Sequence, residues 1–178
     1  PRPLRQELRT DHAGETGAVM IYRGVLAFAR DPALRDFAQH HLATESRHLE
    51  LIGQVLPPSW HSRLLPLWRL SGWLTGALPA LFGPRAVYAT IEAVETFVDH
   101  HYAAQLKMID ASLDTASPDA RPMLQHLRVL LDQCREDEVA HRDDAGARWD
   151  RRPGVLMRLW RALVGWGSAQ AVKVCRHV

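Results

Sequence analysis

Two Glu-x-x-His pairs, Glu45–His48 and Glu138–His141, carry the side chains of this chain best suited to chemistry. Positions i and i+3 of a helix lie side by side on one face, so each pair could grip a metal ion through a carboxylate oxygen and an imidazole nitrogen. Composition alone would yield about 0.4 such pairs, so two are informative. Both pairs also continue apolar stripes. Leu124, Leu127, Leu131 and Cys134 step by three and four residues, and that rhythm lands on Glu138 and His141, inside the charged run REDEVAHRDD. Leu34, Phe37, Ala38 and His41 lead in the same way to Glu45 and His48, with Ile52 and Val55 beyond. Ahead of each pair-bearing segment stands another with a lone glutamate on its apolar face, Glu15 and Glu95. A tyrosine follows each of these seven residues later, Tyr22 and Tyr102.

Four carboxylates converging in a core would each cost several kcal/mol in desolvation and would repel one another. Two divalent cations balance four glutamates, and two neutral imidazoles complete the shell. One Glu from each of two helices plus Glu-x-x-His from each of two others is the pattern of a di-iron or di-manganese carboxylate bundle. Iron or manganese suits this mixed oxygen and nitrogen set, whereas two cysteines, Cys134 and Cys175, are too few for a Cys-rich structural zinc site. A metal pair about 3.5–4 Å apart can bind and activate O2 between its members, an extension of two-metal logic.

The elements that must position these groups read as helices, with strand signals almost absent. The periodicity predicts helices over residues 4–29, 33–56, 84–113 and 119–149, with Asp31-Pro32, Pro57-Pro58 and Ser117-Pro118 as punctuation. Residues 59–83 form a Pro- and Gly-punctuated insert, read as short helical pieces around residues 64–78, and 153–176 as a C-terminal amphipathic segment. The 178 residues are read as one domain, 1–178, and the two halves repeat the same order of lone Glu helix and Glu-x-x-His helix.

Hydrophobic content of 47% with 24% charged residues describes a folded protein, and a net charge of +2 does not suggest a nucleic-acid partner. Charge distribution says more. No acidic residue lies between Glu50 and Glu92 or after Arg151, and five of six tryptophans lie in those stretches. Basic, Trp-rich, acid-poor segments suit a membrane surface, here 60–83 and also 155–174. The uncharged run from Leu70 to Pro84 is too short and too broken to span a bilayer, which needs about 20 apolar residues. Two cysteines offer no disulfide framework and fit a reducing compartment, and no signal peptide is read at the N-terminus.

Four stretches, DHAGETGAVMIYRG (11–24), ATESRHLE (43–50), AVETFVDHHY (93–102) and EDEVAHRD (136–143), resemble the demethoxyubiquinone hydroxylases, carboxylate-bridged di-iron monooxygenases of ubiquinone biosynthesis. The resemblance extends over nearly the whole chain, including the insert. It implies a ferritin-like four-helix bundle with a di-metal core and a membrane-facing helical insert, to which the sequence itself adds a C-terminal amphipathic helix, although the tail after Arg151 departs from the family. It implies Glu15, Glu45, His48, Glu95, Glu138 and His141 as ligands of two iron ions, with Glu45 and Glu138 bridging. It also implies O2-dependent hydroxylation of the ring of a prenylated quinone precursor, with reducing equivalents ultimately from NADH. Other ubiquinone-biosynthesis proteins and a second copy of the chain are the partners expected on that basis. The expected location is peripheral, on the cytoplasmic face of a bacterial inner membrane or the matrix face of the mitochondrial one.

Tyr22 and Tyr102 are candidates to relay protons or electrons, and equally to pack as aromatics with satisfied hydroxyls. Asp144, one turn after His141, is a candidate to orient a ligand from outside. His101 could face the site or solvent. Two other functions share the pattern: a ferritin-like iron oxidase or storage protein, and a non-catalytic membrane-associated scaffold of ubiquinone assembly.

Overall fold

The computed structural model describes residues Arg2–Val178 and is all-helical, with no strand among the described residues. Four long helices, α1 (Arg2–Phe28), α2 (Pro32–Val55), α4 (Pro84–Asp114) and α5 (Arg121–Ala147), form a bundle. A 3-10 turn, Pro58–Trp60, leads into α3 (Leu65–Ala80), which lies along α1, and α6 (Val155–Cys175) lies along α4.

Local chemistry sets the turns. Asp31 caps α2, its Oδ1 accepting from the Leu34 amide at 2.8 Å, and Pro32 follows at the first helical position. Arg35 closes the other side of that turn by donating to the Leu26 and Ala29 carbonyls at 3.0 Å each, which satisfies the free end of α1. Gly83 enters α4 at φ 96°, a left-handed conformation that favours glycine, just before Pro84.

Around residues 64–78 the insert is one continuous sixteen-residue helix, α3, rather than short pieces. Its glycines are contact points, not breaks. A Cβ on Gly72 or Gly76 would overlap the backbone of Gly17 or Ile21, and one on Gly24 the backbone of Trp73, so α1 and α3 approach as closely as backbones allow. Pro79 sits in the last turn of α3, where few further hydrogen bonds are at stake. No helix among the described residues is long and apolar enough to cross a membrane.

Two apolar clusters fill the bundle. One gathers Tyr22, Leu34, Phe37, Ile91 and Trp149, and the other Leu8, Ile52, Tyr102, Ile109 and Leu131. The polar stripe positions fall between them along each helix: Glu15 before Tyr22, Glu45 before Ile52, Glu95 before Tyr102. The bundle therefore has an apolar–polar–apolar section, and only the middle layer asks for an explanation beyond packing.

Candidate metal centre

Glu15, Glu45, His48, Glu95, Glu138 and His141 are all buried, and the fold brings all six together. They form two overlapping groups. Glu15, Glu45, His48 and Glu138 offer ligand atoms within 4.8 Å of one another, as do Glu45, Glu95, Glu138 and His141. Glu45 and Glu138 belong to both. The Oε1 of Glu45 lies 3.0 Å from His141 Nδ1 and its Oε2 3.9 Å from His48 Nδ1. The Oε1 of Glu138 lies 3.1 Å from His48 Nδ1 and its Oε2 3.3 Å from His141 Nδ1. Each of these two carboxylates thus spans both imidazoles, while Glu15 and Glu95 serve one group each.

The layer is unsatisfied as it stands. Glu15 Oε2, both oxygens of Glu45, Glu138 Oε2 and His141 Nδ1 are buried without a hydrogen-bond partner. Leaving even one such atom unpaired costs on the order of 1–3 kcal/mol. Protonation shows the same stress. Burial, then repulsion from Glu138, Glu15 and Glu95, pushes the Glu45 carboxyl well above the usual carboxylate range. Burial and the Glu138 carboxylate do the same to Glu95. At His48 burial opposes charge, but the hydrogen bond to Glu138 and the nearby Glu15 carboxylate outweigh it and push the imidazole up to about 11. Burial would raise Glu138, yet His141 and His48 hold it down at about 2. This donor set, its convergence and its orphaned atoms fit a pair of divalent cations.

The surroundings hold these side chains in place. His48 presents Nδ1 inward, and its Nε2 pairs with Asp137 Oδ2 at 3.0 Å, which Arg47 binds in turn at 2.9 Å. A second hydrogen bond of this kind fixes a ligating imidazole's tautomer and ring plane. Asp144 does not reach His141. It bonds His41 Nε2 at 3.0 Å, and the His41 ring packs edge-on against His141 with centroids 4.2 Å apart. Asp144 therefore acts on His141 only through His41. Burial, with the neighbouring His141, brings His41 down to about 4, so it stays neutral there.

The two tyrosines differ. The Tyr102 hydroxyl donates to Glu15 Oε1 at 2.5 Å, which answers its polar end and fixes that carboxylate. The Tyr22 hydroxyl is buried without a partner, and burial beside Glu95 and Glu45 pushes its pKa far up. His101 faces the site's side of the bundle, bonded to Thr10 and Asp11. Sequence reasoning missed Asp137, Asp11, Gln105 and the role of His41. Asp137 stood next to Glu138 in the charged run, but its partner lies on another helix.

From the carboxylate layer an apolar cavity of about 340 Å³ opens between α3 and α6, with α1 and α4 as its walls. Glu15, Glu45, Glu95 and Glu138 lie at one part of its lining, and Trp68, Gly72, Trp160 and Val164 at another. The outer faces of α3 and α6 expose Leu67, Leu70, Leu74 and Leu78, then Leu156, Leu159, Leu163 and Trp166. Trp68 and Trp73 are half-buried instead, Trp68 against the cavity and Trp73 against Phe28. The leucines, not these two tryptophans, are the outward apolar groups of α3.

The family model described as Ubiquinone biosynthesis protein COQ7 matches residues 2–175. The chain is 36% identical over 174 residues to the 3-demethoxyubiquinol 3-hydroxylase of Rhodospirillum rubrum, covering 96% of this chain and 76% of that protein. It is 31% identical over 170 residues to the NADPH-dependent 3-demethoxyubiquinone 3-hydroxylase, mitochondrial, of Rattus norvegicus, covering 94% and 74%. With the 5-demethoxyubiquinone hydroxylase, mitochondrial, of Saccharomyces cerevisiae it shares 35% identity over 155 residues, covering 80% and 64%. A family match over nearly every described residue, on top of this arrangement of glutamates and histidines, assigns the chain to the COQ7 family of ubiquinone biosynthesis proteins.

Proposed function

We propose that this chain is a hydroxylase of ubiquinone biosynthesis that inserts one oxygen atom into the ring of a prenylated, demethoxyubiquinone-type precursor. The observation that carries this reading is the pairing of Glu45 and Glu138, each spanning both imidazoles, at the end of an apolar cavity. The names of the curated relatives support the same reaction class.

In this reading the fold is ferritin-like, and Glu15, Glu45, His48, Glu95, Glu138 and His141 would hold two iron ions, with Glu45 and Glu138, which belong to both donor groups, as shared ligands. When bound, the pair supplies the activation of O2 that no side chain can provide. The overall change consumes one O2, two electrons and two protons: a ring C–H becomes C–OH and the second oxygen leaves as water. Electrons come from a nicotinamide nucleotide, NADH in our reading, although the rat relative is named for NADPH. The protein's own part is positional. Tyr102 holds Glu15, Asp137 holds His48, and His41 with Asp144 buttresses His141. The apolar walls exclude water from the ring and take the first part of the isoprenoid tail.

Such a tail does not leave a bilayer without a large hydrophobic cost, so the cavity has to meet the membrane. The exposed leucines of α3 and the exposed apolar residues of α6 flank the opening, and both helices lie in acid-free stretches of sequence. This supports docking through both 60–83 and 155–174, on the inner membrane. Iron-loaded protein, a nicotinamide reductant and a short-tailed demethoxyubiquinone should give a quinone one oxygen atom heavier. Iron accumulating beyond two ions per chain, with the quinone unchanged, would instead make this a ferritin-like iron oxidase.

A further inference from the structure

One wall of the cavity carries a polar cluster that the metal layer does not use. Thr10, Asp11 and His101 line the cavity, and Gln105 lies behind them. All three contacts of the His101 imidazole run through Nε2: 3.0 Å to Thr10 Oγ1, 3.1 Å to Asp11 Oδ1 and 2.8 Å to Gln105 Nε2. The Thr10 hydroxyl proton is committed to the Glu7 carbonyl at 2.7 Å, so Thr10 Oγ1 and Asp11 Oδ1 accept when Nε2 carries the proton, and the Gln105 amide, a donor, bonds Nε2 when it does not. The Nδ1 edge of the ring is the one not tied down. Gln105 Nε2 also donates to Asp11 Oδ1, at 2.6 Å, yet Asp11 Oδ2 and Gln105 Oε1 are buried with no partner.

Such a cluster is excessive for a mere clamp between α1 and α4. A clamp needs one satisfied pair, whereas this one leaves two buried acceptors unanswered, one of them on Asp11, which lines the cavity. Burial raises the Asp11 pKa against the pull of His101 and Gln105, and at His101 burial is outweighed by the Asp11 carboxylate, which raises the imidazole. Position completes the argument. Asp11 precedes Glu15 by one turn of α1, about 6 Å along the axis, which is the breadth of a benzenoid ring with its two oxygens. Phe97, whose ring lies parallel to His101 with centroids 6.1 Å apart, supplies an apolar face on the same wall.

We propose that Thr10, Asp11, His101 and Gln105 form a head-group subsite that holds one ring oxygen of the quinone, with His101 Nδ1 as the contacting atom. The inference rests on the reading of the substrate as a quinone. Nδ1 donates to a carbonyl oxygen when it carries a proton and accepts from a quinol hydroxyl when it does not, so the subsite serves both redox forms of the ring. Fixing one oxygen at this distance from Glu15 sets which ring carbon faces the carboxylate layer. His101 is then a positioning residue for the reaction, and Asp11, Thr10 and Gln105 orient it.

Binding to metal-loaded protein, held anaerobically, tests this without turnover. Trp68 and Trp160 line the cavity, so quenching of tryptophan fluorescence reports occupancy. Two probes are compared: a demethoxyubiquinone with a short isoprenoid tail, and the ring-free isoprenoid alcohol of the same tail length. His101→Phe should weaken the ring probe about tenfold while leaving the alcohol unchanged, as expected for losing one or two hydrogen bonds. Thr10→Val, which keeps the side-chain shape and deletes one partner of His101, should move the ring probe in the same direction by less. Unchanged affinity for the ring probe in both variants overturns the subsite, and so does equal weakening of ring and alcohol. Wild-type protein that binds the ring probe no better than the alcohol would sink the quinone reading itself, a result distinct from failure of the subsite.

Discussion

His48 Nδ1 and Glu138 Oε1 lie 3.1 Å apart, although ninety residues of chain separate them and they stand on different helices, α2 and α5. The contact links the two Glu-x-x-His pairs into one layer. Because Glu138 also reaches His141 and Glu45 reaches both imidazoles, these two carboxylates belong to both halves of the layer.

Metal stoichiometry should follow that sharing. Wild-type protein should bind two Fe(II) or Mn(II) ions per chain by titration and elemental analysis. Glu45→Ala or Glu138→Ala should lose both, whereas Glu15→Ala or Glu95→Ala should keep one. One ion retained in Glu138→Ala would show that the carboxylate is not shared.

Proton linkage gives a pH prediction for metal-free protein above pH 6.5. His48 is raised to about 11, so its contribution is fully present below the unfolded value of about 6.5 and is lost as pH rises through about 11. Glu45 and Glu95 are raised too, and their contribution, present below about 4.5, is likewise lost as pH rises. His12 and His41, both brought down to about 4, act in the opposite sense but only below about 6.5. The melting temperature of metal-free protein should therefore fall between about pH 7 and 9.5, and bound metal should flatten the curve. Metal uptake at neutral pH should also release protons, read by calorimetry in buffers of differing ionisation enthalpy. A flat metal-free profile would contradict this account.

Asp137→Asn should weaken metal binding about 10- to 100-fold with little change in melting temperature, because Asp137 is half-exposed and acts on His48. Asp144→Asn should cost less, since it reaches His141 only through His41. Equal losses would mean that His48 is fixed by other contacts.

Membrane docking should depend on leucines. Leu70→Glu with Leu74→Glu should abolish co-sedimentation with anionic liposomes and leave metal content intact. Unchanged co-sedimentation would remove α3 from the docking surface. Trp68→Glu is the wrong probe for this, because it disturbs the cavity.

The convergence of buried glutamates and histidines was legible in the sequence because a helical stripe has a fixed period and Glu138, His141, Glu45 and His48 fall on it. Relationships between helices were not. Asp137 pairs with His48 and Asp144 with His41, choices made by the packing of α2 on α5, which no single helix's periodicity contains. The insert misled for a related reason. Gly72 and Gly76 look like breaks in isolation and become contacts only once α1 lies against them. Tryptophan content and the lack of acids marked 60–83 and 155–174 as surfaces suited to a membrane, but which side of each helix faces out depends on the neighbour that covers the other.

That reading of the glycines has its own consequence. Gly76→Val should lower the melting temperature by several degrees, about 2–4 °C per kcal/mol in a chain of this size, because the new side chain meets the Ile21 backbone. Gly14→Val, where open space surrounds the Cβ, should cost much less.

The most direct test of the central claim is a single turnover with isotopically labelled O2. Iron-loaded, reduced protein is mixed with a short-tailed demethoxyubiquinone, and the quinone is analysed by mass spectrometry. The account predicts one labelled oxygen atom in the ring product, absent in Glu138→Ala. Rapid iron oxidation with no labelled quinone, or labelling that survives Glu138→Ala, would contradict it.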